Sequence, residues 1–266
     1  MKGECVGTLD VAQNLIANQM KVFARIINLD SRPDRWSLMQ AFVKASRYNL
    51  QRFKAIKVPD TDAAKGLLSL RARADVRRER VQHEAISGLG AVGCAVSHFS
   101  VWTEFLQSDA DVCLVLEDDL HPRGAPGLDS AVGSFLGRKD WDIGLLGWCS
   151  TLPARRMDGS ITPFPSSAGF SGAQAYLLTR HAATTLTESF FPLEMQVDYA
   201  MQAIADAKGL RIVASSRPKL RQTLTGSDVF RVCLLCEPSL VYGVVMGLVT
   251  LVAVLVWKVW GKRGLA

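Results

Sequence analysis

Three adjacent acids, Glu117, Asp118 and Asp119, follow a short apolar run from Asp111 to Leu116. The run reads as a buried strand. In open α/β sheets, ligands gather just past the C-terminal ends of strands. Side chains alternate along an extended chain, so Glu117 and Asp119 project to one side and Asp118 to the other. Two carboxylates on one side suit a hard divalent cation such as Mn²⁺ or Mg²⁺, whose remaining positions take diphosphate oxygens. That chemistry stabilises a departing nucleotide diphosphate as charge builds on it. The plain alternative is a solvated acidic turn.

Three further features could join this chemistry. Asn28-Leu29-Asp30-Ser31-Arg32-Pro33-Asp34-Arg35 is a turn at a helix start carrying two arginines, which suits a nucleotide base and phosphates. Ser97-His98 lies among aromatics, where a structural histidine is the ordinary reading. Asp198, in Gln196-Val197-Asp198-Tyr199, opens a helix. There it is either a cap and dipole partner or a general base for an acceptor hydroxyl.

The elements that must position these residues alternate between strand and helix. Lys21 to Leu29 is β-rich and ends in turn formers, and Asp34 to Tyr48 follows with helical spacing of Trp36, Met39, Phe42 and Val43. Gln51 to Val58 is expected as a second strand, and Pro59 to Leu89 as a mobile polar insertion with a helical piece. Gly90 to Leu106 is a helix, with apolar residues three and four apart. Trp141 to Trp148 and Ala173 to Leu178 are strands separated by a loop, Leu152 to Gly172. Thr179 caps the next helix. Val197 to Ala207 is a helix closed by Gly209, and Leu210 to Ala214 is a last strand. This alternation predicts an α/β fold with a mostly parallel sheet.

Composition narrows the class. The chain has 266 residues, 48% of them hydrophobic and 21% charged, which excludes a disordered chain. A net charge of +6 admits nucleic acid, a membrane surface or a phosphate-bearing ligand. Neither a zinc-finger spacing nor an RNA-binding aromatic motif is present, so nucleic acid is not expected as a partner. The basic run Arg71 to Arg80 reads as a solvated face, or as a surface apposed to a membrane. Cys94, Cys113 and Cys149 sit in apolar runs as small hydrophobes, and Cys233 and Cys236 lack a second pair or a nearby His for zinc.

Residues 1–20 hold no apolar core of signal-peptide length. From Ser239 to Trp257 the chain carries no charge, and about 20 apolar residues span roughly 30 Å, the thickness of a hydrocarbon core. Residues 239–257 are therefore expected as a transmembrane helix, after a linker at 231–238 and before a basic tail at 258–266. The tail argues for a cytosolic C-terminus by the positive-inside rule. The simpler arrangement is a single-pass C-terminal anchor with the large domain also cytosolic, in keeping with the free thiols.

In order and spacing, Ile26 to Trp36 (IINLDSRPDRW), Gly90 to Trp102 (GAVGCAVSHFSVW), Leu114 to Leu120 (LVLEDDL), Trp141 to Gly147 (WDIGLLG), Gly172 to Leu186 (GAQAYLLTRHAATTL) and Val197 to Met201 (VDYAM) resemble glycosyltransferase family 25. That family includes bacterial lipopolysaccharide and collagen galactosyltransferases. The resemblance covers residues 21 to 228 and sets residues 21–230 apart as the expected catalytic domain. It implies a GT-A-like fold, a UDP-sugar donor (commonly UDP-galactose), metal dependence and inversion at the anomeric carbon. It places Asn28, Asp30, Arg32 and Arg35 at the nucleotide, with Asp118 and His98 beside it, and Glu117 and Asp119 at the metal, Mn²⁺ or Mg²⁺. Inversion needs a base on the face opposite the leaving group, with Asp198 as candidate and Asp142 in reserve. The implied partners are a nucleotide-sugar donor, a glycan, lipid-linked or protein acceptor, and the membrane. Two other classes remain. One is a catalytically inactive scaffold or glycan-binding module at a membrane, which has no need of clustered acids. The other is a metal-dependent phosphotransferase, which would want a phosphate-gripping glycine loop that is absent here.

Overall fold

The computed structural model describes residues 20–78, 84–149, 160–164, 170–215 and 220–223. The chain divides into two compact units, Met1–Val229 and Phe230–Ala266, and all described residues belong to the first. Among the described residues no helix is long and apolar enough to cross a membrane. The expected linker, transmembrane span and basic tail, together with Cys233 and Cys236, lie outside the described residues, as do residues 1–19.

The described elements are, in chain order, β1 (Val22–Asn28), α1 (Pro33–Ala45), β2 (Leu50–Lys54), α2 (Thr61–Lys65), α3 (Leu70–Arg78), α4 (Leu89–Gln107) and β3 (Val112–Glu117). A 3₁₀ turn (Pro122–Gly127) runs into α5 (Leu128–Leu136), and β4 (Ile143–Cys149), β5 (Ile161–Pro163), β6 (Ser171–Thr179), α6 (Arg180–Ser189), α7 (Val197–Lys208) and β7 (Ile212–Ser215) follow. The strands form one sheet in the order β2-β1-β3-β6-β4-β7-β5.

The expectation of a mostly parallel sheet needs correction. The pairs β1–β2, β1–β3 and β4–β7 are parallel, but β6 runs antiparallel between β3 and β4, and β5 runs antiparallel to β7. A strand that opposes both neighbours makes the sheet mixed. Its insertion also brings the start of β6 level with the end of β3, since Leu116 pairs with Ala175.

Apolar residues cover both faces. Ile27, Cys113, Val115, Tyr176 and Leu178 pack under α4, α6 and α7, while Ala24, Ile26, Leu114, Leu116 and Leu177 pack under α1 and α5. The strands are therefore buried on both sides, and continuous apolar runs such as VCLVL are what that burial requires. The 3₁₀ turn and α5, which the sequence reading did not anticipate, belong to the second layer through Leu128, Val132 and Phe135.

The expected mobile insertion at 59–89 forms helices α2 and α3 and sends some of its described residues into the core. Ala64, Leu68, Ala72, Val76 and Ile86 are buried against α4. Asp60 caps α2 by accepting from the Ala63 N–H at 2.8 Å. Its arginines made the segment look solvated, but the small and apolar residues between them face inward. The expected loop at 152–172 likewise contains the short edge strand β5.

Helix α4 lies against the chain leaving β2 in backbone contact. A Cβ on Gly93 would stand 2.5 Å from the Ile56 carbonyl oxygen. Ser97 uses the same closeness, its Oγ accepting from the Ile56 N–H at 2.8 Å and donating to the Gly93 carbonyl at 2.7 Å. The glycine permits the approach, and the approach sets where the next turn of the helix places His98.

Candidate functional site

The parallel register of β1 and β3 places Ile27 beside Glu117, so Asn28 and Asp118 leave their strands side by side. Asn28 donates from Nδ2 to Asp118 Oδ2 at 2.6 Å and to the Arg32 carbonyl at 3.1 Å, which closes the first turn. Arg35, on the inner face of α1, donates from Nη1 to Asp118 Oδ1 at 3.0 Å. Asp118 is thus a buried acid satisfied on the α1 side. Burial pushes its carboxyl up, against the pull of the Asn28 and Arg35 hydrogen bonds.

The remaining residues of the first turn lie toward its rim. Arg32 grips Asp34 at 2.9 Å. Asp30 is held by Arg52 at 2.8 Å and Lys54 at 2.7 Å, and these bonds lower its carboxyl pKa. Arg52 also donates to Asn28 Oδ1 at 2.7 Å. The structure therefore joins Asn28, Arg35 and Asp118 in one buried network, with Asp30 tied to it through Arg52.

Glu117, the last residue of β3, and Asp119, in the turn that follows, find their side-chain partners outside that network. Asp119 has one buried carboxylate oxygen, Oδ1, without a hydrogen-bond partner among the described residues. Its Oδ2 accepts from Gln222 Nε2 at 3.2 Å, and its main-chain carbonyl accepts from the Thr223 N–H at 2.6 Å. Burial first, and the charge of Glu117 second, push the Asp119 carboxyl up to about 7. A buried, half-satisfied acid beside a second acid is costly alone and is relieved by a bound cation. Two carboxylates make a hard oxygen donor set, so these residues fit a divalent metal such as Mn²⁺ or Mg²⁺.

Behind Glu117 stands a buried aromatic cluster. His98 approaches Glu117 Oε1 with Nε2 at 3.2 Å and the Tyr176 hydroxyl with Nδ1 at 2.7 Å. Trp102 donates from Nε1 to that hydroxyl at 2.8 Å. Burial holds the Tyr176 phenol well above its usual range, so it keeps its proton. Cys94, one turn before His98, completes a trio with His98 and Glu117 whose potential ligand atoms all lie within 4.8 Å of one another. Asp119 is not in that trio.

Asp198 reaches the same end of the sheet from the first turn of α7. Its Oδ2 accepts from the Gly172 N–H at 2.7 Å and its Oδ1 from the Tyr199 N–H at 2.9 Å. Burial raises its pKa, those two bonds lower it, and the charge of Glu117 adds to the rise. Gly172, the second residue of β6, has φ +89°, a conformation that favours glycine, and carries its N–H to Asp198 there.

Asp142 is not brought to this site. It precedes β4, its carbonyl accepts from the Thr179 N–H at 3.0 Å, and Thr179 pairs with Val112 at the opposite end of β3. Its carboxylate takes the Arg211 N–H at 2.9 Å and Arg211 Nε at 2.8 Å. Burial opposes ionisation, but these bonds win and its pKa is lowered. An acid whose pKa falls on folding contributes stability above its unfolded pKa of about 4 and loses it as pH drops through the folded value. Asp142→Asn is therefore expected to remove about 1–2 kcal/mol at neutral pH and to flatten the acid limb of the stability curve. Any activity of the site at the other end of β3 should be unchanged. Urea unfolding between pH 3 and 7 checks this, and a large loss of activity with an intact fold would return Asp142 to the site.

Several participants escaped the sequence reading. Gln222 and Thr223 meet Asp119 from about a hundred positions downstream, and no local pattern announces that contact. Tyr176 and Trp102 read as core aromatics, and their polar tips become meaningful only once β6 lies beside β3.

Residues 21–122 match the model of glycosyltransferase family 25, described as an LPS biosynthesis protein family. Over these residues the chain is similar to glycosyltransferase family 25. The matched residues end just past the acidic triplet and include the first turn, α4 and β3. Glycosyltransferase 25 family members of Drosophila pseudoobscura pseudoobscura and Drosophila melanogaster are each 26% identical to it over 95 residues. That alignment takes in 36% of this chain and 15% of either relative. The chain thus spans a small part of the length of those relatives. Among solved structures, the inositol-1-phosphate CTP transferase of T. maritima is similar at 12% identity and a TM-score of 0.37, over 81% of this chain and 76% of that one. That likeness is too loose for any argument to rest on it.

Proposed function

We propose that the chain is a GT-A-like glycosyltransferase. It would move a hexose, galactose foremost, from a UDP-sugar to a hydroxyl of a glycan, lipid-linked or protein acceptor, with inversion. The observation that supports this most is the unpartnered buried oxygen of Asp119 beside Glu117 at the end of a central strand. A divalent cation held by Glu117 and Asp119 would neutralise the diphosphate as it leaves. The protein's own residues would do the rest. The network of Asn28, Arg35 and Asp118 fixes the first turn, and Arg52 and Arg32 at its rim face the nucleotide. Asp198 takes the acceptor proton, since each carboxylate oxygen that accepts one main-chain N–H keeps a further lone pair. The uncharged run at 239–257 supports a cytosolic enzyme held at a membrane surface, where a lipid-linked acceptor would meet it.

The test is donor turnover by the purified full chain in detergent, with a panel of nucleotide sugars and Mn²⁺. UDP release from UDP-galactose is expected, lost with a chelator and restored by added Mn²⁺. If every donor stays intact, the reading as an inactive scaffold or glycan-binding module replaces this one.

A further inference from the structure

The Trp102, Tyr176 and His98 cluster has a definite proton arrangement. Trp102 Nε1 can only donate, so the Tyr176 oxygen accepts at 2.8 Å. The hydroxyl hydrogen then needs an acceptor, and among the described residues His98 Nδ1 at 2.7 Å is the one within reach. With Nδ1 accepting, the ring hydrogen sits on Nε2 and faces Glu117 Oε1 at 3.2 Å. Any other assignment fails locally. A hydrogen on Nδ1 would leave the buried Tyr176 hydroxyl hydrogen without its acceptor. In the neutral ring it would also set the Nε2 lone pair against a carboxylate oxygen. His98 and Tyr176 are fully buried, and their stacked rings lie 5.7 Å apart, so neither can turn to a different partner cheaply.

We infer that His98 is a positioning residue, locked as the Nε2–H tautomer by Tyr176 and Trp102, that holds the Glu117 carboxylate in place from behind rather than ligating a metal itself. The inference rests on the reading of Glu117 as a cation ligand. It excludes the soft alternative that the trio of Cys94, His98 and Glu117 offers, because a nitrogen carrying hydrogen has no lone pair to give. His98 then acts as outer-shell partners of metal sites do, orienting a ligand whose loss costs about 10–100-fold in metal affinity. The Glu117 oxygen that His98 does not engage is the one left for the cation.

Two measurements on the full chain in detergent decide this. The first reads the wild-type protein itself. With ¹⁵N-histidine labelling, long-range ¹⁵N–¹H spectra read the tautomer of each of the four histidines in metal-free protein, with His98→Gln assigning the signal. The His98 ring is expected to show hydrogen on Nε2 and a bare Nδ1, and hydrogen on Nδ1 would overturn the inference. The second is Mn²⁺ uptake, followed by the free-ion electron paramagnetic resonance signal with UDP present. Tyr176→Phe, checked by thermal unfolding, should weaken uptake about 10–100-fold. Equal uptake by wild type and Tyr176→Phe would overturn the relay while leaving the metal reading standing. Absence of uptake by wild type would overturn the metal reading itself, and with it the task assigned to His98. A tightly bound Zn²⁺ lost on Cys94→Ser, with its signature on His98 Nε2, would make His98 a ligand and overturn the inference.

Discussion

Asp119→Asn should lower sugar transfer about 10²–10³-fold while leaving the protein as stable as before, or slightly more so. The two effects have one cause. Asp119 has a buried oxygen without a partner among the described residues, and burial first, with the charge of Glu117 second, raises its pKa to about 7. An acid whose pKa rises on folding costs stability at neutral pH, so replacing its charge with an amide relieves the folded state. A residue kept at a cost to stability is what a cation site looks like before the cation arrives. In the proposed enzyme Asp119 is one of two carboxylate ligands, and removing it would weaken charge neutralisation at the departing diphosphate, which is felt in the transition state more than in donor binding. Steady-state transfer assays with Mn²⁺, alongside thermal unfolding, check both halves. Transfer at the wild-type rate by Asp119→Asn or Asp119→Ala would remove the metal assignment.

Asp198→Asn should reduce kcat about 10²–10⁴-fold with little change in donor KM. Here the stability effect has the opposite sign. Both Asp198 oxygens accept main-chain N–H groups, from Gly172 at 2.7 Å and Tyr199 at 2.9 Å. An asparagine can satisfy one of them, but its amide nitrogen would face the other donor. A cost of about 1–3 kcal/mol follows from that buried mismatch. The kinetic part separates a base from a mere tie between β6 and α7. If only the unfolding midpoint moves and kcat survives, Asp198 is a structural link, and the acceptor's proton goes elsewhere.

Contrasting responses at Asp119 and Asp198 would also distinguish the proposed enzyme from a binding module of the same fold. A module under selection for stability has no reason to keep a carboxyl at a neutral pKa against its neighbour. An enzyme does, because the strain is discharged when the cation and diphosphate enter together.

Much of this was legible along the chain because it depends on neighbours in sequence. The strand ahead of the three acids was readable from its apolar run; it ends at Glu117, and Asp118, in the turn beyond it, meets Asn28 and Arg35. The Thr179 cap and the left-handed Gly209 that ends α7 were likewise local, each settled by one residue's conformational preference. The core face of α4 was written in its three- and four-residue spacing.

Only the tertiary structure decided the rest, because it depends on residues far apart in sequence that share no local signal. The antiparallel insertion of β6 between β3 and β4 is a choice of strand order, and each strand's own residues are equally content on either side. That choice brings Tyr176 under His98, Gly172 to Asp198 and the site together, and it leaves Asp142 at the far end of the sheet. The burial of Ala64, Leu68, Ala72, Val76 and Ile86 was hidden for a similar reason. Charged residues advertise an exposed face, but the small residues that fill the other face reveal themselves only when a helix such as α4 lies against them. Chemistry-bearing residue types were readable in one dimension; which of them face each other was settled by packing.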